Sequence, residues 1–254
     1  MTPATRRAVF LVAGVGLLAF YLWGLTGLPA FGHYHGPYGD LIDAVAVAQT
    51  HATGIVSAVN FDYRGFDSLG EEFILFVAAT GVATVLRELR GERAEAPLGE
   101  GSDADRPVSP TSETVRMAAL VFTGPVLVLG WFLTTHAQTN PSGGFQGGVV
   151  MATAVFLVYL AGQFLVFKRL SPVDVTDAVE AVGAGGFAAV GLGVLATGAS
   201  FLADVLPLGS PPGEVDASGT IALISFFVGV EVVAAFVLIA NELLEQTIVI
   251  RQGP

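Results

Sequence analysis

The chain has 254 residues, 53% hydrophobic and 13% charged, with a formal net charge of −11 and a mean hydropathy of +0.69. A soluble domain carries about 25% charged residues, so the solvent implied here is lipid, and the acidic balance excludes a nucleic-acid partner, which needs a basic face. The lack of cysteine excludes disulfides, thiolate metal sites and thiol chemistry.

Arg6 and Arg7 lead into an apolar stretch over 8–28. It exceeds the roughly 7–15 residues of a secretory signal core and matches the ~20 residues that cross a bilayer, so it reads as the first span. The next loop holds His33 and His35 near Asp40 and Asp43. A pair of loop histidines is more often simply polar, and no metal is expected there. Over 41–61 the polar residues Asp43, Thr50, His51, Thr53, Ser57 and Asn60 mostly recur at helical spacing on an otherwise apolar helix. This predicts an amphipathic or re-entrant helix at the outer surface. Further spans are expected over 69–86, 115–135 (with a kink at Pro125), 149–167, 178–202 and 220–240.

Residues 91–112, rich in Gly, Pro, Glu, Asp and Arg, bury too little apolar area to offset ordering and predict a cytoplasmic linker. It separates a two-span unit, 1–90, from a four-span unit, 113–254. With the N-terminus inside, the inner segments hold Arg6, Arg7, Arg87, Arg90, Arg93, Arg106, Arg116, Lys168, Arg169 and Arg251, and the outer ones only Arg64. That asymmetry follows the positive-inside rule. The expected fold is an all-α polytopic membrane protein of about six transmembrane helices, with both termini cytoplasmic.

Several residues can carry chemistry. Glu231 sits near the middle of the last span, where a carboxylate costs roughly 2.5–3.5 kcal/mol and marks an ion path or a structural hydrogen bond. Asp67, Glu71 and Glu72 lie at the outer mouth of the second span. Helix capping accounts for one or two of them, and a cation entrance for all three. Arg64 is their natural partner. Glu180 lies about one turn into the fifth span, near Asp174 and Asp177, placed to snorkel toward the interface or to join an ion path. The stretch HAQTNPSGGFQGG, from His136 through Pro141, Gly143, Gly144, Phe145, Gly147 and Gly148, specifies a tight turn and then a helix start that tolerates close packing. Such a start can also hold an anion. The glycines at 183, 185, 186, 191 and 193 follow no strand, so they read as helix packing rather than a nucleotide loop.

At these residues two resemblances emerge. The stretch HATGIVSAVNFDYRGFDSLGEEFILF, residues 51–76, resembles the C-terminal region of the large MrpA subunit of Mrp-type antiporters. The same region occurs as a small MbhE-like domain in related membrane-bound hydrogenase complexes. The portion from His136 through NPSGGFQGG and the spans after it resembles the MrpB (MnhB) subunit, with Ser142 replacing one of three family glycines. By position, the family's first acid falls on Glu71, with Glu72 additional. The family's acid in the last span falls on Phe227, and Glu231 stands one turn deeper.

These resemblances imply a non-enzymatic subunit of a multisubunit monovalent cation/proton antiporter in the plasma or inner membrane, without a bound cofactor. Its partners would be larger antiporter subunits, lipid, monovalent cations and protons. The rival readings are a subunit of a redox-driven ion pump and a purely structural scaffold.

Overall fold

The computed structural model describes residues 3–28, 36–94, 112–162, 164–209 and 211–250. Among them the regular structure is helical, with no strand. Six helices are long and apolar enough to cross a membrane, so the chain is a multi-pass membrane protein. The chain divides into two compact units, Met1–Leu41 and Ile42–Pro254. His33, His35, Arg106, Arg251 and most of the expected linker lie outside the described residues.

In the first unit, α1 (Pro3–Leu25) is an uninterrupted apolar helix. At 1.5 Å per residue its 23 residues reach ~34 Å, enough to cross the hydrocarbon core. A second helix, α2 (Pro37–Thr50), begins in the first unit and ends in the second.

The expected amphipathic segment is two helices rather than one. After α2, a break at 51–54 is followed by α3 (Ile55–Ala58), which runs into a π-helical turn (Val59–Tyr63) at 85° to α2. The break is made at His51, which takes a left-handed φ of 55°. It is pinned by neighbouring loops. Gly54 N donates to Gln138 O at 2.9 Å, Ser57 Oγ to Ala137 O at 2.6 Å, and Ser218 Oγ to Thr50 O at 2.6 Å. Gly65, just past the turn, packs on Leu202. Both ends of segment 50–65 therefore sit against the loops that join the later spans, and the segment caps one end of the bundle instead of crossing it.

The bundle itself consists of α4 (Gly65–Ala94), α5 (Glu113–Thr135), α6 (Gly144–Gly162), α8 (Val173–Ala196) and α9 (Gly219–Ile250), with a short α7 (Phe164–Leu170) between α6 and α8. The loops 136–143 and 197–218 define its loop end. Arg87, Arg116 and Lys168 mark the opposite, basic end. The most buried helix is α9, which touches α4, α5, α6 and α8.

Several span boundaries differ from expectation: the second span starts at Gly65 rather than 69, and the fifth runs Val173–Ala196 rather than 178–202. The fourth span begins at Gly144 rather than 149, because the glycines expected in a turn form its first helical turns. Glycine costs about 1 kcal/mol in a helix interior. Here that cost is offset by close crossings: a Cβ on Gly148 would lie 2.9 Å from Gly229 O, and one on Gly147 would lie 2.6 Å from Gly130 O. The last span runs past 240 because its polar residues there are buried and paired. Asn241 Nδ2 donates to Ser171 O at 2.8 Å.

Candidate functional site

Three helical stripes meet in the core. On α4, Glu72, Phe76, Thr80, Ala83 and Arg87 recur at spacings of about four and three, so they share one face. On α9 the positions are Glu231, Ala235, Leu238 and Glu242; on α8 they are Asp177, Glu180, Gly183 and Phe187. Small residues let these faces close. Ala79, Ala83, Ala235 and Leu238 form one packed cluster between α4 and α9. Gly183 lies against the backbone of Glu231, where a Cβ would come within 2.5 Å of Glu231 N.

This packing buries a line of acids. Glu231 is 0% exposed, and the carboxyl of Glu72 is the one hydrogen-bond partner its carboxyl oxygens have among the described residues. Its carboxyl faces that of Glu72, which is 3% exposed, and no basic side chain lies between them. Glu180 is within electrostatic reach of Glu231. It is buried as well, and its Oε1 has no donor. It does not snorkel: the fifth span starts at Val173, two turns before Glu180, which places this acid inside the bundle rather than at its edge.

Each end of the line opens on a cavity. At the loop end a cavity of about 180 Å³ is lined by Ser57, Asn60, Ser68, Glu71, Glu72 and Gln146, together with Gly143 and Phe145. At the basic end a cavity of about 280 Å³ is lined by Thr80, Thr84, Arg87, Asp177 and Glu180. There Arg87 joins three helices. Its Nη atoms donate to both Asp177 oxygens at 2.8 and 2.9 Å, and its Nε donates to Glu242 Oε1 at 2.8 Å.

The acids expected at the mouth of the second span therefore separate. The helix begins at Gly65, so Asp67 is in its first turn, where it accepts from Arg64 Nε at 2.7 Å. That is a cap and ion pair. Glu71 is exposed at the loop-end cavity, and Glu72 turns inward. The turn motif resolves into scaffold contacts. His136 stacks on Phe132 with ring centroids 4.0 Å apart, and its carbonyl accepts from Asn140 N at 3.1 Å and Ser142 Oγ at 3.3 Å. Pro141 is exposed, Gly143 and Phe145 line the loop-end cavity, and Gly144, Gly147 and Gly148 hold the crossings of α6 with α5 and α9. Sequence reasoning counted Arg87 only as a topology charge and passed over Glu242. The signal for both was spacing: Glu242 is eleven residues after Glu231 and Arg87 fifteen after Glu72, each about a whole number of turns.

Comparisons with known proteins bear on this architecture. An uncharacterised protein of Methanocaldococcus jannaschii is 24% identical over 232 residues, covering 85% of this chain and 86% of its own length. A probable A/B component of a K+/H+ antiporter from Rhizobium meliloti is 28% identical over 126 residues, 43% of this chain but only 12% of that protein. Among solved structures, a chain of the archaeal membrane-bound sulfane sulfur reductase, a respiratory membrane complex, superposes with a TM-score of 0.70 at 26% identity, covering 94% of this chain and 98% of that one. A chain of the Mrp complex from Dietzia sp. DQ12-45-1b shares the fold, with a TM-score of 0.71 at 22% identity, and this chain spans 26% of its length. The family model described as a domain related to the MnhB subunit of Na+/H+ antiporter matches residues 114–238, which hold α6, α8 and the Glu231 stripe as far as Leu238. The chain thus carries, over residues 114–238, a domain related to the MnhB subunit of Na+/H+ antiporter.

Proposed function

We propose that the chain is a subunit of a multisubunit monovalent cation/proton antiporter and that its buried acids form part of an ion path. The observation that carries this reading is Glu231: fully buried, with no basic or neutral donor, and hydrogen-bonded carboxyl to carboxyl with Glu72. Two such groups in a low-dielectric core stay together only by sharing protons or admitting a cation. A structural acid would instead have a donor, as Glu242 has in Arg87. Buried intramembrane acids of this kind mark proton relays and ion pathways. In this reading Glu71 and Glu72 collect protons or cations at the loop end, Glu231 passes them through the middle, and Glu180 delivers them to the basic end.

The charge asymmetry puts the basic end and both termini in the cytoplasm, with the protein in the plasma or inner membrane. The portion 1–90 is read as an MrpA C-terminal module joined to the MnhB domain by the segment 91–112. The subunit makes and breaks no covalent bonds of its own, and its partners are the larger antiporter subunits. The test is Glu231→Gln in the intact complex, with cation/proton exchange measured in vesicles. Exchange is expected to fall to background at normal assembly. Full exchange at normal assembly would leave the acids a packing role and the chain a scaffold.

A second reading has a specific support. This chain corresponds almost end to end to one chain of a respiratory complex, and to a minor part of the Mrp chain. That favours a redox-driven pump built around the same ion path. Identifying the subunits that co-purify decides between them: metal-centre redox subunits favour the pump, and large antiporter subunits the antiporter.

A further inference from the structure

The cavity at the basic end holds more chemistry than a relay needs. Of the acids that line it, Asp177 accepts from Arg87 with both oxygens, and the same guanidinium also donates to Oε1 of Glu242 on α9, which is not part of the cavity wall. Glu180 has no such partner. It is 3% exposed, lines the cavity, and keeps Oε1 without a donor. Across from it α4 supplies Thr80 and Thr84, one turn apart. Thr84 Oγ1 donates its hydrogen to Thr80 O at 2.8 Å, so its lone pairs remain as acceptors.

The result is one carboxylate with neutral hydroxyl oxygens around a space of about 280 Å³, room for a partly hydrated ion. All-oxygen donor sets suit hard cations. The guanidinium decides which acids can reach a solute. Arg87 engages both oxygens of Asp177 and one of Glu242. Glu180, whose Oε1 has no donor, is the cavity-lining acid left to a solute, so an ion there meets a single carboxylate ligand among neutral oxygens, the sparse charge set that suits an alkali ion. A divalent ion would need Arg87 to give up Asp177 as well, breaking a bidentate pair.

We propose that this cavity is a binding site for a monovalent alkali cation, with Glu180 as its charged ligand, Thr80 and Thr84 as neutral ones, and Arg87 as a built-in cation that holds the other acids out of reach. It deepens the ion-path reading and rests on it for its place in transport, but the binding itself is tested separately. Glu231 is the one further acid within electrostatic reach of Glu180 from α9, and it lies toward the middle of the bundle. A proton there and an alkali ion at Glu180 would then be neighbours on one line.

The experiment uses the intact complex in detergent, a hydrophobic carbodiimide that modifies buried carboxyls, and peptide mass mapping to read labelling at Glu180. Choline chloride keeps the ionic strength constant while Na+ or K+ is varied. Labelling of Glu180 should fall as either alkali ion rises, with no effect of choline. Thr84→Val, which removes one oxygen at nearly constant volume, should raise the half-protecting concentration ~tenfold, the equivalent of about 1.4 kcal/mol. Labelling indifferent to both ions overturns the site. So does protection by Mg2+ alone, an unchanged half-protecting concentration in Thr84→Val, or a Glu180 that never labels and is therefore closed to solutes. Loss of exchange in Glu231→Gln without cation protection at Glu180 would remove this site and leave the ion path standing.

Discussion

The two ends of the acid line are built from the same residue types and handle them in opposite ways. At the loop end Glu71 and Glu72 line their cavity among Ser57, Asn60, Ser68 and Gln146, and the nearby Arg64 is spent on Asp67. At the basic end the cavity is about half as large again, and Arg87 is part of its wall, tied to Asp177 and Glu242. An acid cavity without an internal cation gathers positive charge from solution, whereas one with a tethered guanidinium is already partly neutralised and admits only what the arginine leaves. The asymmetry suits a line that collects at one end and meters at the other.

The strongest way to break the comparison is to part the helices that connect the ends. Gly183 holds α8 against the Glu231 backbone, where a Cβ would meet Glu231 N, Cα and Cβ at 2.5–2.6 Å. Backbone cannot rotate away, so Gly183→Val should force α8 outward and cost about 3 kcal/mol, the upper range for overpacking. The measurement is the melting temperature of the purified protein in detergent, with Gly185→Val as control, since a Cβ at Gly185 meets nothing within 4 Å. Equal melting temperatures would mean the glycine stripe does not hold the line together.

A smaller and more pointed change compares the ends directly. Arg87→Met keeps the aliphatic stem but strips Asp177 of both donors and Glu242 of one. A hydrogen bond to a charged group contributes roughly 1.5–3 kcal/mol. Arg87 is 36% exposed at its side chain, which screens the pair, so about 1.5 kcal/mol is expected. Glu71→Gln at the other end removes an exposed acid with no partner in its cavity wall and should stay within about 0.5 kcal/mol. Chemical or thermal unfolding of the two variants side by side checks this. Equal losses would erase the difference between the ends.

Much of the bundle was legible because lipid imposes simple rules: apolar length gave the spans, and arginine placement gave their alternation. The helical character of the segment over 41–61 was legible from its polar stripe, but its break at His51 was not, since a left-handed residue depends on loops over a hundred positions away, Gly209 and Gly213. Glu231 stood out as a carboxylate in an apolar run. Glu72 did not separate from Glu71, because which of two adjacent acids turns inward is set by where the helix starts. The helix starts at Gly65, four residues before the predicted span. Glu180 was misplaced for the same reason, its helix starting at Val173, about a turn and a half further out than hydropathy alone indicates. Arg87 looked like a topology charge because its partners lie on two other helices, and single-chain periodicity does not say which faces meet.

The smallest expected effect concerns how the loop end is fastened. Asp204 caps α9, accepting from Thr220 N at 3.0 Å, and its own N–H donates to Asp62 Oδ1 at 3.1 Å. Burial raises its carboxyl above the ordinary value, the hydrogen bonds from Thr220 pull it part of the way back, and the neighbouring Asp62 adds to the rise while His51 opposes it. A native value above the unfolded one means that the native loop binds the proton more tightly. Its hold is therefore fully present below the unfolded value and declines as pH rises through the native one. Hydrogen exchange over 201–209, followed in nanodiscs from about pH 4 upward, should show faster local opening as pH rises, after correction for the intrinsic pH dependence of exchange. Asp204→Asn keeps an acceptor, and Asn caps a helix about as well as Asp, so α9 should stay capped while the pH slope of opening disappears. A slope that survives in Asp204→Asn would move the titrating group to Asp62. It would also make the loop end's fastening a matter of the re-entrant segment rather than of α9.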